Sequence, residues 1–526
     1  MSDGHAEFDS LQQAFDVGMH IAYWAGQTPE APAIIFDDEV TTYDGLNKRT
    51  NQLARVFRRA GLQPNDAVAL LAPNRPEFAE VYFAVLRTGL RISPIAYKLR
   101  PEESGYIVND CEARALIIMG HAGEGDAQIP VIPERVELKL ALDVEIPGYD
   151  SYEDALAAES DADLEWPVLG SWMLYTSGTT GRPKGVYRAD KVTTANRRNP
   201  QALPEAFKGM QADGPTLSTG PLYHATVNAG MHGALSRGAA LILMDHFDPE
   251  EFLRLIEKYR ITSTVVVPTM FHRLLQLPED ARKKYDLSSL QNLGHGAAPC
   301  SVHIKRQMIE WLGPILSEYY GSTEQAGGSL IDSETWLKKP GSVGKPMEMS
   351  PVFIMGPDMQ PLPPMEPGVI YGVAPDKGRF EYFKDYDKTS DAYQGNLVTL
   401  GDVGYLDEDG YLFLTDRSAN LIISGGVNIY PAEVDEVLLS HPAIVDAATI
   451  GVPNEEWGEE VLSVVELQPG YEGTPELSAE LIAFCRDRLA HFKCPRTIAY
   501  MDKLPRSDAG KLLKRELRET FRGASK

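Results

Sequence analysis

Tyr175-Thr-Ser-Gly-Thr-Thr-Gly-Arg-Pro-Lys-Gly-Val186 packs hydroxyls, glycines and one lysine between two apolar runs. That composition suits a polyphosphate. Gly178 and Gly181 let backbone N–H groups approach anionic oxygens, the hydroxyls of Thr176, Ser177, Thr179 and Thr180 add donors, and Lys184 supplies a point charge. The string is not a Walker A loop, because no Gly-Lys-Ser/Thr closes it. Most Gly/Ser/Thr clusters are plain surface loops, but this twelve-residue string is far more specific than its composition.

Working outward, the flanking chain alternates helix and strand signals. A helix is predicted from Tyr43 to Ala60, stopping at Gly61, followed by the apolar run Val68-Ala-Leu-Leu-Ala. A second helix from about Pro76 to Thr88 leads to a strand around Ile92 and Pro94. The same grammar returns where Ala239-Ala-Leu-Ile-Leu-Met precedes Asp248-Pro-Glu-Glu, a capping-box helix start, and a strand follows at Thr262 to Val267. Near Gly401 a hairpin replaces the alternation, with Tyr405-Leu-Asp and Tyr411-Leu-Phe-Leu on either side of Asp409-Gly410. The tail carries an apolar run from Ile444 to Val452 and a helix from Glu476 to Leu489. The expected fold is α/β: a large N-terminal domain (1–416) of mostly parallel sheets with helices, then a small α+β C-terminal domain (417–526).

Lys and Arg number 50 against 75 Asp and Glu, a net charge of −25 that repels phosphate backbones and anionic lipid over most of the surface. No nucleic-acid partner is expected, and any nucleotide must be held locally. Cys111, Cys300, Cys485 and Cys494 lack CxxC spacing, which favours a reduced compartment over a disulfide framework or a zinc site. The N-terminus lacks signal-peptide order and no stretch approaches the roughly 20 apolar residues of a membrane span, so a cytoplasmic protein outside the membrane is expected.

The twelve-residue string resembles the signature of the adenylate-forming superfamily, which includes acyl-CoA synthetases, aryl-CoA ligases, luciferases and peptide-synthetase adenylation domains. Four further motifs follow in the family's order, so the resemblance spans nearly the whole chain. Tyr319-Tyr-Gly-Ser-Thr-Glu resembles its Tyr-Gly-x-Thr-Glu motif. There Tyr320 would lie against the adenine, Thr323 would contact the α-phosphate and Glu324 would help hold Mg²⁺, with Tyr319 and Gly321 also among the cofactor-binding residues. Gly296, Ala297 and Ala298 resemble the segment that flanks the adenine and lines the acyl pocket. Asp402 and Arg417 match the pair that binds the ribose hydroxyls, and Lys511 matches the lysine of the adenylation step on a mobile C-terminal domain.

What the resemblance implies is an ATP-dependent acid–CoA ligase: a carboxylate attacks the α-phosphate, and the acyl-adenylate is passed to coenzyme A. Two anions meet in the first step, so Mg²⁺ and Lys511 would neutralise charge, with no acid–base triad required. Ser424-Gly-Gly-Val resembles the pantetheine tunnel, where Gly425 and Gly426 would admit the ligand, while Trp457 and Phe492 resemble the aromatics that stack on the CoA adenine. Cys494 stands where aryl-CoA ligases carry an Arg. His224 sits where the family places a gating aromatic or His.

Candidates for the acid's pocket are Tyr223, Val227, Met270, Phe271, His295 and Gly296. The small Gly294, Gly296 and Ala297 leave room for a fatty, aromatic or polycyclic acid. Ala419 replaces the usual charged hinge residue, which motivates a second reading: a ligase specialised for thioesterification of a supplied acyl-adenylate. A carrier-protein acceptor also stays open, although a peptide-synthetase arm would continue beyond Lys526, and so does a nucleotide-binding scaffold without catalysis. The sequence leaves the oligomeric state open and allows a homodimer.

Overall fold

Thr42 starts the first long helix by accepting the Gly45 N–H on its hydroxyl at 3.1 Å, and Gly61, at φ +78°, ends it in a conformation that favours glycine. Between these signals Tyr43–Arg59 buries Tyr43, Leu46, Leu53, Val56 and Phe57 along one stripe, the face expected of an amphipathic helix. The computed structural model describes residues 8–119, 131–176, 183–190, 212–348, 350–417, 420–424, 427–454, 457–507 and 510–521, with the backbone alone at 416, 417 and 428.

The chain forms two units: residues 1–266, 277–294 and 375–391 make the first, and residues 267–276, 295–374 and 392–526 the second. One sheet of the first unit runs Asp150–Ser151, Leu138–Leu142, Ala113–Met119, Ala67–Leu71, Arg91–Ile95, Ser171–Trp172, every neighbouring pair parallel. Ala67–Leu71 and Arg91–Ile95 are buried at every position; the first reads as a continuous apolar run rather than as alternation, whereas the second encloses Arg91 and Ser93 among its apolar residues. The helix Pro76–Leu86 is likewise enclosed from Phe78 to Leu86. Its Glu80 is satisfied there by Arg49 at 2.6 Å and by the Tyr152 hydroxyl at 2.8 Å.

A second parallel set places Pro32–Phe36 beside Leu241–Leu243, then Thr216–Ser218, then Ser263–Val266. Asp248 caps the helix Pro249–Tyr259 by accepting the Glu250 and Glu251 N–H groups. The expected reciprocal half of the capping box gives way to an ion pair, since Glu251 holds Arg254 at 2.6 Å.

The second unit is built mainly from antiparallel strands. Leu316–Tyr320, Ser329–Asp332, Ser342–Pro346, Leu412–Arg417, Asp402–Leu406 and Gly368–Val373 neighbour one another in that order. Gly410 turns the predicted hairpin at φ +79°, while the Asp407 carboxylate accepts the Asp409 and Tyr411 N–H groups. In the C-terminal sheet, Val427–Ile429, Ile422–Ser424, Gly458–Leu467 and Ile444–Asn454 are antiparallel, and Thr497–Tyr500 joins Gly458–Leu467 in parallel. The helices Pro431–Leu439 and Pro475–Arg486 supply Val434, Leu438, Leu477 and Leu481 to its core, along with Cys485; the buried Cys494 joins them. The latter helix ends at Arg486, three residues short of its expected limit, where the Arg488 N–H bonds the Cys485 carbonyl three residues back at 3.0 Å. Among the described residues no helix is long and apolar enough to cross a membrane.

Candidate active site

In the first unit the two strands that flank the Gly/Thr-rich string are paired. Leu174–Thr176 and Lys184–Tyr187 pair antiparallel, with Thr176 opposite Lys184 and Tyr175 opposite Gly185. Glu381–Tyr382 adds a third strand beside Val186 and Tyr187, and the Lys184 ammonium lies 5.0 Å from the centre of the Tyr382 ring. Ser177, Gly178, Thr179, Thr180 and Gly181 lie outside the described residues. His224 is the N-cap of the helix Ala225–Ser236, its ring 4.5 Å from that of Tyr223, and Val227 follows in the first turn.

In the second unit the strand Leu316–Tyr320 brings several predicted residues together. A Cβ on Gly296 would fall 2.6 Å from both the ring and the carbonyl oxygen of Tyr319, so the segment bearing Ala297 and Ala298 lies on Tyr319 only because position 296 is bare. Ala297 itself has φ +66°. Tyr320 donates its hydroxyl to Asp402 at 2.8 Å, and strand register sets Asp402 opposite Arg417. Gly321 and Thr323 follow at the strand's end, before the buried Glu324.

His295 and Phe271 are both fully buried, their rings 5.0 Å apart in an edge contact. Among the described residues neither ring nitrogen of His295 has a hydrogen-bond partner. Burial first, and then the Lys305 charge, hold its pKa well below the ordinary histidine value, so the ring is neutral. Lys305, fully buried, donates to Glu318 at 2.6 Å and lies 4.7 Å from the Trp336 ring. Burial raises the Glu318 pKa against the pull of that lysine. Composition gave no hint of this pair, since Lys305 lies on a helix where a lysine is usually solvated.

Lys511 closes a small loop in the same unit. The Ser507 N–H reaches the Lys511 carbonyl at 2.8 Å, and the Lys511 N–H returns to the Ser507 hydroxyl at 3.2 Å. Arg506 fastens the loop by donating to the Gly510 carbonyl at 2.7 Å and to Asp446 at 2.9 and 2.5 Å. A Cβ on Gly510 would lie 2.5 Å from the Thr269 hydroxyl oxygen and 3.3 Å from Val267, so the residue before Lys511 rests at the start of the helix Pro268–Leu275 that bears Met270 and Phe271. Sequence reading missed Glu436, which accepts the Ser301 hydroxyl at 3.2 Å and the Val302 N–H at 2.9 Å, capping the helix Val302–Leu312 from 134 residues away.

Trp457 and Phe492 are both exposed. Cys494 is buried, with its thiol directed at the Ala490 carbonyl at 3.5 Å. Gly425, Gly426 and the hinge candidate Ala419 lie outside the described residues. Among the described residues no group of three or more His, Cys, Asp or Glu side chains could cage a metal.

The chain that carries the Lys184 hairpin and the Lys511 loop is an enzyme of the adenylate-forming class, as its matches to known proteins show. The chain belongs to the AMP-binding enzyme family, whose profile matches residues 21–375; the profile of the AMP-binding enzyme C-terminal domain matches residues 433–511. It is 34% identical over 502 residues to a feruloyl-CoA synthase of Amycolatopsis sp, covering 94% of this chain and 97% of that protein. It is 30% identical over 521 residues to the fatty acid–[acyl-carrier-protein] ligase ScoC of Streptomyces coeruleorubidus, covering 96% of each. The solved o-succinylbenzoate CoA synthetase (MenE) of Bacillus subtilis, in complex with its acyl-adenylate intermediate, superposes with a TM-score of 0.78 at 26% identity, covering 95% of this chain and 97% of that one.

Proposed function

We propose that this enzyme activates a hydrophobic carboxylic acid, fatty, aromatic or polycyclic, as its acyl-adenylate and transfers the acyl group to coenzyme A. The observation that carries the reading is the Lys511 loop resting on Val267 and Thr269, one turn from Met270 and Phe271. A cation on that loop is suited to the approach of a carboxylate to an α-phosphate, where like charges must be neutralised and aligned. Thr323 and Glu324 serve the phosphates and a Mg²⁺, which supplies charge neutralisation when bound. Asp402 serves the ribose, with Tyr320 holding its carboxylate at 2.8 Å.

The acid is read as apolar because Met270, Phe271 and Val227 are apolar side chains and the residues around position 296 are small. His224 gates access to the acyl centre. The chain divides functionally at 416/417 about Ala419, within the stretch between the two profile matches, and the C-terminal domain presents first Lys511 and then the Gly425–Gly426 segment. A CoA acceptor is supported by the feruloyl-CoA synthase and MenE likenesses, and a carrier-protein acceptor by ScoC. The test is thioester formation by the purified protein with ATP, Mg²⁺ and a panel of acids, offering CoA and a phosphopantetheinylated carrier protein in parallel. Thioester on CoA with apolar acids is expected; transfer to the carrier alone would overturn the reading.

A further inference from the structure

Glu436 stands on the helix Pro431–Leu439, inside the stretch matched by the C-terminal profile, yet its carboxylate serves a helix inside the other match. It accepts the Ser301 hydroxyl at 3.2 Å and the Val302 N–H at 2.9 Å, at the start of Val302–Leu312. Ser301 is the N-cap of that helix, but its own hydroxyl makes no capping bond. A role that the local serine usually fills has passed to a carboxylate far along the chain, and a negative charge is the better match for the positive end of a helix. Burial raises the Glu436 pKa against the pull of the Ser301, Val302 and His303 donors.

The same two stretches meet again beside Lys511. A Cβ on Gly510 would lie 2.5 Å from the Thr269 hydroxyl oxygen, and His272, one turn further along that helix, has its pKa lowered by burial and is acted on by the Asp446 and Arg506 charges. A bonded path inside the C-terminal fold links the two contacts. Asp435, beside Glu436, accepts the Thr449 N–H at 2.5 Å and the Lys514 ammonium at 3.1 Å. Thr449 lies on the strand Ile444–Asn454, which also carries Asp446, and Asp446 holds Arg506 at 2.9 Å at the foot of the Lys511 loop. Glu436 and Lys511 therefore belong to one bonded piece, and what fastens the first also places the second.

We propose that Glu436 is a positioning residue for adenylate formation: by capping Val302–Leu312 it fastens the piece that bears Lys511, so that the lysine is held at the start of Pro268–Leu275, and it is released for acyl transfer. The inference rests on the reading that the C-terminal domain presents Lys511 first and a different segment afterwards. Two hydrogen bonds to one carboxylate are strong enough to bias a two-state equilibrium about tenfold or more, yet weak enough to break in every turnover. Ser301 makes the release reversible. Once freed, its hydroxyl turns to accept an N–H of its own helix, as N-cap serines do, and the helix keeps a cap while Glu436 is away.

The experiment compares the wild type, Glu436→Ala and Glu436→Gln in two half-reactions and in hydrogen exchange. Pyrophosphate release is measured with ATP, Mg²⁺ and either cinnamic or dodecanoic acid, and acyl transfer to CoA is measured from the matching synthetic acyl-AMP. Glu436→Ala should lower kcat for pyrophosphate release about tenfold, leave the KM for ATP unchanged and leave acyl transfer as fast as in the wild type. Glu436→Gln, which keeps a carbonyl acceptor but loses the charge, should fall between the two and serves alone if the alanine variant does not fold. In the exchange experiment, amides in the peptides containing Thr269 and Gly510 should exchange several times faster in the variants, although neither residue touches position 436. Equal loss of both half-reactions would overturn the proposal, as would unchanged pyrophosphate release or faster exchange confined to the start of Val302–Leu312, the signature of a purely local cap. Wild type that activates neither acid would overturn the hydrophobic-acid reading, and the exchange at Thr269 and Gly510 would still decide the role of Glu436.

Discussion

Gly510 and Thr269 leave no room for a methyl group between them: a Cβ at position 510 would lie 2.5 Å from the Thr269 hydroxyl oxygen. Gly510 also has φ +75°, where an L-residue is strained by about 1–2 kcal/mol. Gly510→Ala should therefore lift the Lys511 loop from the helix start and lower acyl-adenylate formation at least tenfold. Thioesterification of synthetic acyl-AMP should change much less. Adding Thr269→Ala should restore part of the first activity; no recovery would locate the damage in backbone strain alone.

Removing the lysine instead of moving it separates the half-reactions more sharply. Lys511→Ala should abolish most pyrophosphate release while sparing acyl transfer from supplied acyl-AMP, since its charge matters only while the carboxylate attacks. Equal loss of both half-reactions would show a structural role.

Tyr320→Phe removes the hydroxyl that donates to Asp402. The expected outcome is a rise of about threefold to tenfold in the KM for ATP, the worth of one typical intramolecular hydrogen bond, with the KM for the acid unchanged. An unaltered ATP KM would separate Asp402 from nucleotide binding.

The Lys305–Glu318 pair should be costly to break from one side. Lys305→Ala strands a buried carboxylate, a loss of about 3–5 kcal/mol, and should appear in calorimetry as a melting point lower by several degrees. Glu318→Gln in the same background should return most of it. A double variant as unstable as the single one would mean that packing against Trp336, not charge, is what Lys305 contributes.

His20 gives the first unit an acid-sensitive spot. Its ring is fully buried, stacked 4.4 Å from Phe15, and burial, followed by the Arg87 charge, lowers its pKa to about 3. The unfolded chain takes up the proton near pH 6.5 and the folded one only near 3, so stability from this site is complete above about 6.5 and is lost as pH falls toward 3. His20→Phe should flatten that part of the stability-versus-pH curve measured by denaturant unfolding. A variant with the wild-type slope would place the acid sensitivity elsewhere.

What the sequence made legible is what local chemistry specifies. Thr42 and Gly61 bracket a helix, Asp248 starts another, and the apolar run beginning at Val68 announces a strand, Ala67–Leu71, covered on both faces. The Tyr319–Glu324 string and the Lys511 segment were likewise visible as strings. Contacts between distant segments were not: Glu436 capping Val302, Thr269 against Gly510, and Glu318 neutralising Lys305 leave no trace in spacing or composition. Glu251 shows the limit even locally, because Arg254 competes for the carboxylate that a capping box would use.

The strand that flanks the Lys184 hairpin comes from Glu381–Tyr382, almost two hundred residues further along the chain. During synthesis the ribosome must therefore deliver well over half of the polypeptide before Tyr382 can lie beside Lys184, whereas the parallel strands Ala67–Leu71 and Arg91–Ile95 can pair soon after they emerge. A nascent chain halted before residue 381 would carry the whole phosphate-loop sequence without the neighbour that completes its sheet. The hairpin's environment is thus among the last parts of the first unit to be finished, which ties its completion to translation of a distant stretch rather than to the loop's own sequence.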